Sequence, residues 1–264
     1  MRFYVIKSKA ILFLSLIFCV MALLTLNVSG SPMASVFFNA SNRKIPVYCV
    51  DRKDKQIALS FDAAWGSDKT ESILKVLEHY NIKATFFLVG MWVDKNPELT
   101  KLIFDKGHEI GTHTNLHPDL TKLDKTQINL ELSVSKKKIE DITSSPVTLF
   151  RCPYGAYNNL VIEEAEKLNL KTIQWDVDTL DWKGISEAKI TSNAITKVKS
   201  GSIILCHNNS DNIVQALPGI IGSLQSRGYI FNTIGNILYQ DNFTIDRSGK
   251  QIKNWVNNFF YFLK

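Results

Sequence analysis

Short apolar runs alternate along this chain with longer stretches in which apolar residues recur every three or four positions. A short run bounded by turn residues reads as a buried strand, and the three-to-four spacing reads as an amphipathic helix. Residues 56–62 form the first such run. Asp68 opens a helical stretch that continues to about Tyr80, with Ile73, Leu74 and Leu77 on one face. A second strand is predicted over 84–89. Pro97 and Gly107 then mark the two limits of a helix, because proline suits the first turn and glycine the position past the end. Residues 108–112 read as a strand that delivers His113 at its C-terminal end. The pattern continues with a helix over 127–142, which sets Lys136, Lys137 and Lys138 on its solvated side, and a strand over 147–150 ending at Arg151. A helix over 159–168 and a strand over 171–175 follow, the strand leading to Asp176 and Asp178. The last elements are a helix over 187–199, a strand over 202–206 ending at His207, a helix over 213–227 and a strand over 229–232.

Strand and helix thus alternate about seven times with short connections, which predicts a parallel sheet with helices outside it. An open doubly wound sheet usually carries a glycine-rich phosphate loop after its first strand. Ala63-Ala64-Trp65-Gly66 is no such cradle. Polar residues instead follow several different strands: Asp62, His113, Arg151, Asp178 and His207. Strand ends converge on one mouth in a barrel, so the fold class expected is α/β, an irregular (β/α) barrel of about seven parallel strands in a single domain over 55–240. Residues 31–54, with Pro32 and Pro46, read as an extended linker. The tail, 241–264, repeats Ile252, Trp255, Val256, Phe259, Phe260 and Leu263 at roughly helical spacing. That spacing suits an amphipathic helix packed on the barrel or lying on a membrane surface.

Charge changes the picture first at the N-terminus. Arg2, Lys7 and Lys9 precede 10–28, a run without a charged side chain, so 1–30 reads as a signal peptide or a retained membrane anchor. Val28-Ser29-Gly30 offers a small-residue cleavage site, whereas Phe18 before Cys19 is too bulky for a lipoprotein signal. An exported protein, anchored facing outward or released to the cell wall, is expected. Cys49, Cys152 and Cys206 remain beyond that run, an odd number that implies buried thiols and not a disulfide framework. The net charge of +6 over 264 residues suits anionic surroundings such as membrane headgroups or a wall polymer. No arginine-rich helix, zinc finger or aromatic RNA-binding signature is present, which argues against a nucleic-acid partner. Oligomeric state is not legible.

The chemistry gathers around Gly111-Thr112-His113-Thr114-Asn115-Leu116-His117-Pro118. Two imidazoles four positions apart can share one side of a tight loop and hold a transition metal. The pattern is short, and two loop histidines without a ligand would look the same. Four separated segments decide between these readings. Ser60-Phe61-Asp62-Ala63-Ala64-Trp65-Gly66, His113-Thr114-Asn115-Leu116-His117, Arg151-Cys152-Pro153-Tyr154-Gly155, and Asp178-Thr179-Leu180-Asp181-Trp182 followed by Leu205-Cys206-His207 resemble, in order and spacing, the motifs of the polysaccharide deacetylases of carbohydrate esterase family four, the NodB-like domain. The FDAAWG variant behind an N-terminal apolar segment resembles the sporulation-associated branch.

That resemblance implies hydrolysis of an acetamide on an N-acetylated sugar of peptidoglycan or a related wall glycan. It implies His113 and His117 as ligands of a divalent metal, zinc first, with cobalt or nickel also suited to imidazole. It makes Asp62 the general base, oriented by Arg151; the Tyr154 backbone N–H an oxyanion donor; and His207 the general acid, held by Asp181. Trp182, Leu205 and Pro153 would line the substrate pocket. Two departures stand out. Ala63 occupies the place of a metal-binding Asp, so weak metal binding is expected, with Asp62 or water filling the position. Cys152 replaces a Pro, and a thiolate from Cys152 or Cys206 is an alternative ligand. A glycan-binding barrel with an eroded metal site therefore stands beside the enzyme. A glycoside hydrolase using Asp178 and Asp181 as its carboxylate pair leaves the histidine pair without a role.

Overall fold

A computed structural model describes residues 15–18 and 43–254. The chain divides into two units, 1–44 and 45–264. In the first, residues 15–18 are helical; the rest of the expected export segment lies outside the described residues. No helix among the described residues is long and apolar enough to cross a membrane.

The second unit runs β1 (Cys49–Val50), β2 (Gln56–Ala63), α1 (Thr70–His79), β3 (Thr85–Leu88), α2 (Gly90–Lys95), α3 (Pro97–Asp105) and β4 (Glu109–Thr112). It continues with α4 (Lys125–Thr143), β5 (Leu149–Phe150), α5 (Asn159–Lys167), β6 (Lys171–Thr172), β7 (Val177–Asp178), α6 (Glu187–Thr196) and β8 (Ile203–His207). The last elements are α7 (Ile213–Ser226), β9 (Ile230–Asn232), α8 (Ile234–Ile237), β10 (Phe243–Ile245) and β11 (Lys250–Lys253). Seven parallel strands lie in the order β6-β5-β4-β3-β2-β8-β7. β9 pairs with residues 56–58 of β2, before the point where β3 joins it at Ser60. The alternation of strand and helix produces this fold for the reason anticipated: parallel strands need crossovers, and helices supply them.

Side chains leave a strand alternately on its two faces, and the core divides accordingly. Ile57, Leu59, Phe61 and Ala63 of β2 pack outward with Ile73, Leu74 and Leu77 of α1 and Leu217 and Ile221 of α7. Ala58 joins an inner cluster with Phe87, Leu149, Ile173 and Ile203, closed by Val47, Val50, Ile234 and Ile237. Ser60 and Asp62 share the inner face. The barrel is thus half closed, with β6 and β7 at its open edges.

Residues 45–50 span that opening, which corrects the expected linker. Val47 bridges to Ile173 beside β6, and Cys49 bridges to Ser202 beside β8. Gly201 makes the crossing feasible: at φ +82° it lies so close that an added Cβ would sit 1.8 Å from the Val50 carbonyl oxygen. The tail is corrected as well. Residues 243–253 form two antiparallel strands, with β11 parallel to β1. Their turn is held by Asp246, which accepts from Ser248 N and Oγ, with Gly249 at φ +81°. The helical spacing rested mostly on Trp255 and the residues after it, which lie outside the described residues. Two further elements escaped the pattern, the short helix α2 and the two-residue strand β7. Lys137 is solvated as expected, but Lys136 donates to the Val147 carbonyl and Lys138 to Asp94 and Asn115.

Candidate active site

The inner face of β2 carries Ser60 and Asp62 to the C-terminal end of the barrel, and Arg151 enters from the end of β5. Arg151 is fully buried. Its Nη1 donates to Asp62 Oδ1 at 2.8 Å and its Nη2 to Ser60 Oγ at 2.9 Å and the Gln174 carbonyl at 3.2 Å. The guanidinium also lies 4.1 Å from the Phe87 ring centroid. Burial alone pushes the Asp62 carboxyl upward and is the largest single influence on it. The charges of Arg151, His113 and His207 together outweigh that, so its pKa falls below the ordinary value. Asp62 is therefore a carboxylate at neutral pH.

The loop after β4 holds the two imidazoles with their ring centroids 4.8 Å apart. His113 Nδ1 lies 2.8 Å from the Arg151 carbonyl oxygen, which can only accept. That nitrogen therefore bears the proton, and Nε2 keeps a lone pair, 3.6 Å from Asp62 Oδ2. Burial lowers the pKa of both histidines, that of His117 to about 4 with help from His113. Both are neutral at pH 7. His117 Nδ1 is buried without a hydrogen-bond partner.

The loop's own shape is enforced from outside. Thr114 and His117 have φ of +71° and +63°, a region that costs non-glycine residues energy. Glu131 on α4 accepts from the N–H groups of Asn115 and Leu116 at 2.9 and 2.8 Å. Gly90 and Met91 at the start of α2 donate to the Thr114 and Asn115 carbonyls. Thr114 Oγ1 accepts from His117 N.

β8 lies beside β2 with His207 in register with Asp62. His207 Nδ1 donates to Asp181 Oδ1 at 2.7 Å, and its backbone N–H donates to Asp181 Oδ2 at 2.8 Å. Burial pulls the imidazole pKa down, but the hydrogen bond and charge of Asp181, with Asp62 and Asp178, carry it above the ordinary 6.5. Leu205 is buried one turn of the pleat before His207, Pro153 is buried beside Arg151, and Trp182 is 59% exposed at the rim. Tyr154, 70% exposed, has φ +60° and meets His117 edge-on with ring centroids 4.8 Å apart. Asp178 accepts from the Leu180 N–H. Asp181 has both oxygens committed to His207, so Asp178 and Asp181 do not form a free carboxylate pair. Cys206 points to the outer face in register with Phe61, and burial raises both its thiol pKa and that of Cys152. Neither is a thiolate.

A family sequence model described as polysaccharide deacetylase matches residues 50–173. The peptidoglycan-N-acetylmuramic acid deacetylase PdaA of Bacillus subtilis is 33% identical over 198 residues, 73% of this chain and 75% of PdaA. The chain belongs to the polysaccharide deacetylase family. The peptidoglycan-N-acetylglucosamine deacetylase PgdA of Listeria monocytogenes is 36% identical over 197 residues, covering 75% of this chain and 42% of PgdA. The chain spans 60% of the length of YlxY, an uncharacterised Bacillus subtilis relative. Among solved structures, BA3943 of Bacillus anthracis, a CE4 family pseudoenzyme, superposes with a TM-score of 0.71 at 32% identity, over 74% of this chain and 69% of that one. A BA3943 mutant with restored enzymatic activity gives the same TM-score at 33% identity, over 74% and 71% of the two chains.

Within this member of the polysaccharide deacetylase family the motif residues Asp62, His113, His117, Arg151, Asp181 and His207 lie around the C-terminal end of the barrel. Among the described residues no group of three or more His, Cys, Asp or Glu side chains is arranged to hold a metal. Ala63 is buried in the outer cluster, on the opposite side of β2 from Asp62. The donors that are present still suit a cation: an unprotonated His113 Nε2 facing a carboxylate oxygen, and the orphaned His117 Nδ1. The Nδ1–H of His113 on a carbonyl is also how a metal-bound imidazole is usually oriented. Sequence reasoning missed Ser60, Gln174, Glu131 and Trp65. Ser60 was within reach, since it stands two residues before Asp62 on a strand and so shares its face.

Proposed function

We propose that this protein hydrolyses the acetamide of N-acetylated sugars in peptidoglycan or a related wall polysaccharide, releasing acetate and leaving a free amine. The observation that carries the reading is the pairing of β2 with β8. It sets a buried carboxylate, fixed by Arg151, beside an imidazole fixed by Asp181. One group is poised to accept a proton and the other to give one.

In this mechanism Asp62 takes a proton from water as the water oxygen attacks the acetyl carbon. The backbone N–H of Tyr154 donates to the oxygen that gains charge. His207 Nε2 gives its proton to the sugar nitrogen as the C–N bond breaks, and Asp181 stabilises the imidazolium until then. His113 and His117, with water in the place of the missing carboxylate, would hold a divalent cation, zinc by preference, and two imidazoles without a dedicated carboxylate would hold it weakly. Such a cation would supply positive charge that polarises the acetyl carbonyl and acidifies water. Leu205, Pro153 and Trp182 bound the acetyl side. The uncharged segment 10–28 supports export and tethering to the membrane, and the FDAAWG stretch supports a link to sporulation.

Asp62→Asn keeps the shape and removes the proton acceptor, so acetate release should fall by roughly 10²–10⁴ with the circular dichroism spectrum intact. An unchanged rate would defeat the assignment. A second reading, a glycan-binding barrel without turnover, draws on Ala63 and on the likeness to a pseudoenzyme. It expects glycan binding with no acetate released by the wild type under any divalent metal.

A further inference from the structure

Trp65 is placed unlike the apolar side chains of the strand before it. Phe61 and Ala63 are buried, but Trp65 follows the end of β2 and is 53% exposed. A large exposed aromatic group beside a cleft is informative where a scattered leucine is not. Its backbone is not loose. The carbonyl of the next residue, Gly66, accepts from Trp92 Nε1 at 2.6 Å and Asn208 Nδ2 at 2.9 Å, and Gly66 turns the chain at φ +64°. Two buried side chains thus fix the turn that presents the indole. The ring meets His117 edge-on, with centroids 4.7 Å apart, and Tyr154 meets the same imidazole from its own position at 4.8 Å. Trp65 also lines a recess of about 230 Å³ with Met91 and Trp92, whose lining includes the polar Lys95 and Asn96.

The indole therefore stands between the reacting groups and a second recess with both apolar and polar walls. A pyranose ring has the same division, an apolar face of C–H groups and a polar edge of hydroxyls and substituents. We propose that Trp65 is a stacking platform for the sugar adjacent to the one that carries the scissile acetamide, with that neighbour's substituents directed into the recess at Lys95 and Asn96. This rests on the deacetylase reading and extends it: the site takes an oligosaccharide, not an isolated amino sugar, and Trp65 measures the difference.

The test uses the full-length chain carrying Asp62→Asn, so that the probe is not consumed. N-acetylglucosamine and its soluble tetramer are titrated and followed by calorimetry and by NMR. The tetramer should bind more tightly than the monomer. Adding Trp65→Ala should weaken the tetramer about 10-fold, the loss of roughly 1.4 kcal/mol, and leave the monomer unchanged, while Trp65→Phe should recover most of the loss. Equal weakening of monomer and tetramer would show that Trp65 only supports His117, and would overturn the proposal alone. Unaltered tetramer binding in Trp65→Ala would do the same. Absence of any glycan binding before Trp65 is changed would overturn this proposal together with the deacetylase reading.

Discussion

Replacing Arg151 by methionine separates the two influences that set Asp62. In the wild type, burial raises the carboxyl pKa and the guanidinium 2.8 Å away, with two histidines, brings it below the ordinary 3.8. Methionine keeps much of the volume against Phe87 and removes the charge. A buried carboxylate without its cation can rise by up to about 3–5 pH units, which would protonate the proposed base near neutrality. The acid limb of acetate release should move up by several units. Breaking a buried pair by removing one partner costs about 3–5 kcal/mol, and at roughly 2–4 °C per kcal/mol for a domain of this size the melting temperature should drop by about 6–20 °C.

The sign of the pH effect distinguishes this from general damage. Wild-type Asp62 contributes stability that is fully present above its unfolded value and is lost as pH falls through the lower folded value. In the variant the folded value lies above the unfolded one, so the ionised carboxylate is destabilising and acid relieves it. The gap in stability between the two proteins should be widest near neutrality and close in acid. Arg151→Lys retains a charge without the planar fork, so it should keep the acid limb low and lose part of the stability. Pairing pH–rate profiles with thermal melts from pH 3 to 8 measures both. An acid limb that does not move in Arg151→Met would mean that Asp62 is not the titrating base.

Three further outcomes follow from the same geometry. Asp181→Asn removes what holds the His207 pKa above 6.5, so the alkaline limb should shift to lower pH. His207 contributes stability below its unfolded value that is lost as pH rises through the folded one, and the variant should lack that decline; an unmoved limb would exclude His207 as the acid. Ala63→Asp sends a carboxylate toward a buried apolar cluster, so the metal-free variant should melt below wild type and zinc should raise its melting temperature more. Equal responses to zinc would show that this strand end cannot present a third ligand. Glu131→Ala leaves two loop N–H groups to water at about 1–3 kcal/mol and should weaken zinc binding by loosening His117, with Glu131→Gln restoring most of it; calorimetric titration showing equal affinity in all three would remove Glu131 from that role.

Repetition made the fold legible. Each buried strand and its following helix announces itself by its apolar period, so β2 through β5 and their helices stand close to where the pattern puts them. β7 did not announce itself, because two residues cannot show a period. The segment 45–50 and the hairpin 243–253 were misread because each is held by pairing with distant backbone and not by its own side-chain pattern. The site divides in the same way. Asp62, His113, Arg151 and His207 each stand at or just past the C-terminal end of a strand, and strand ends meet in a barrel. Glu131 and Trp65 could not be found so: one acts from mid-helix on backbone N–H groups, and the other is recognisable only by an exposure the sequence does not display.

The pairing of β1 with β11 also sets an order of events in synthesis. Tyr48 and Asp51 take their backbone acceptors from Gly249 and Gln251, about two hundred residues further on. At about 5–20 residues per second, a ribosome needs roughly 10–40 s between making one partner and the other. Within that interval the first strand's partners at 172–174 and 201–202 are made first, and the bonds to Gly249 and Gln251 are the last to form. Val47 accepts from Gln174, whose carbonyl in turn receives Arg151, so a late-closing seam adjoins the support of the guanidinium that grips Asp62. The barrel's chemistry is drawn from its middle, yet the seam beside it is closed by residues 243–253.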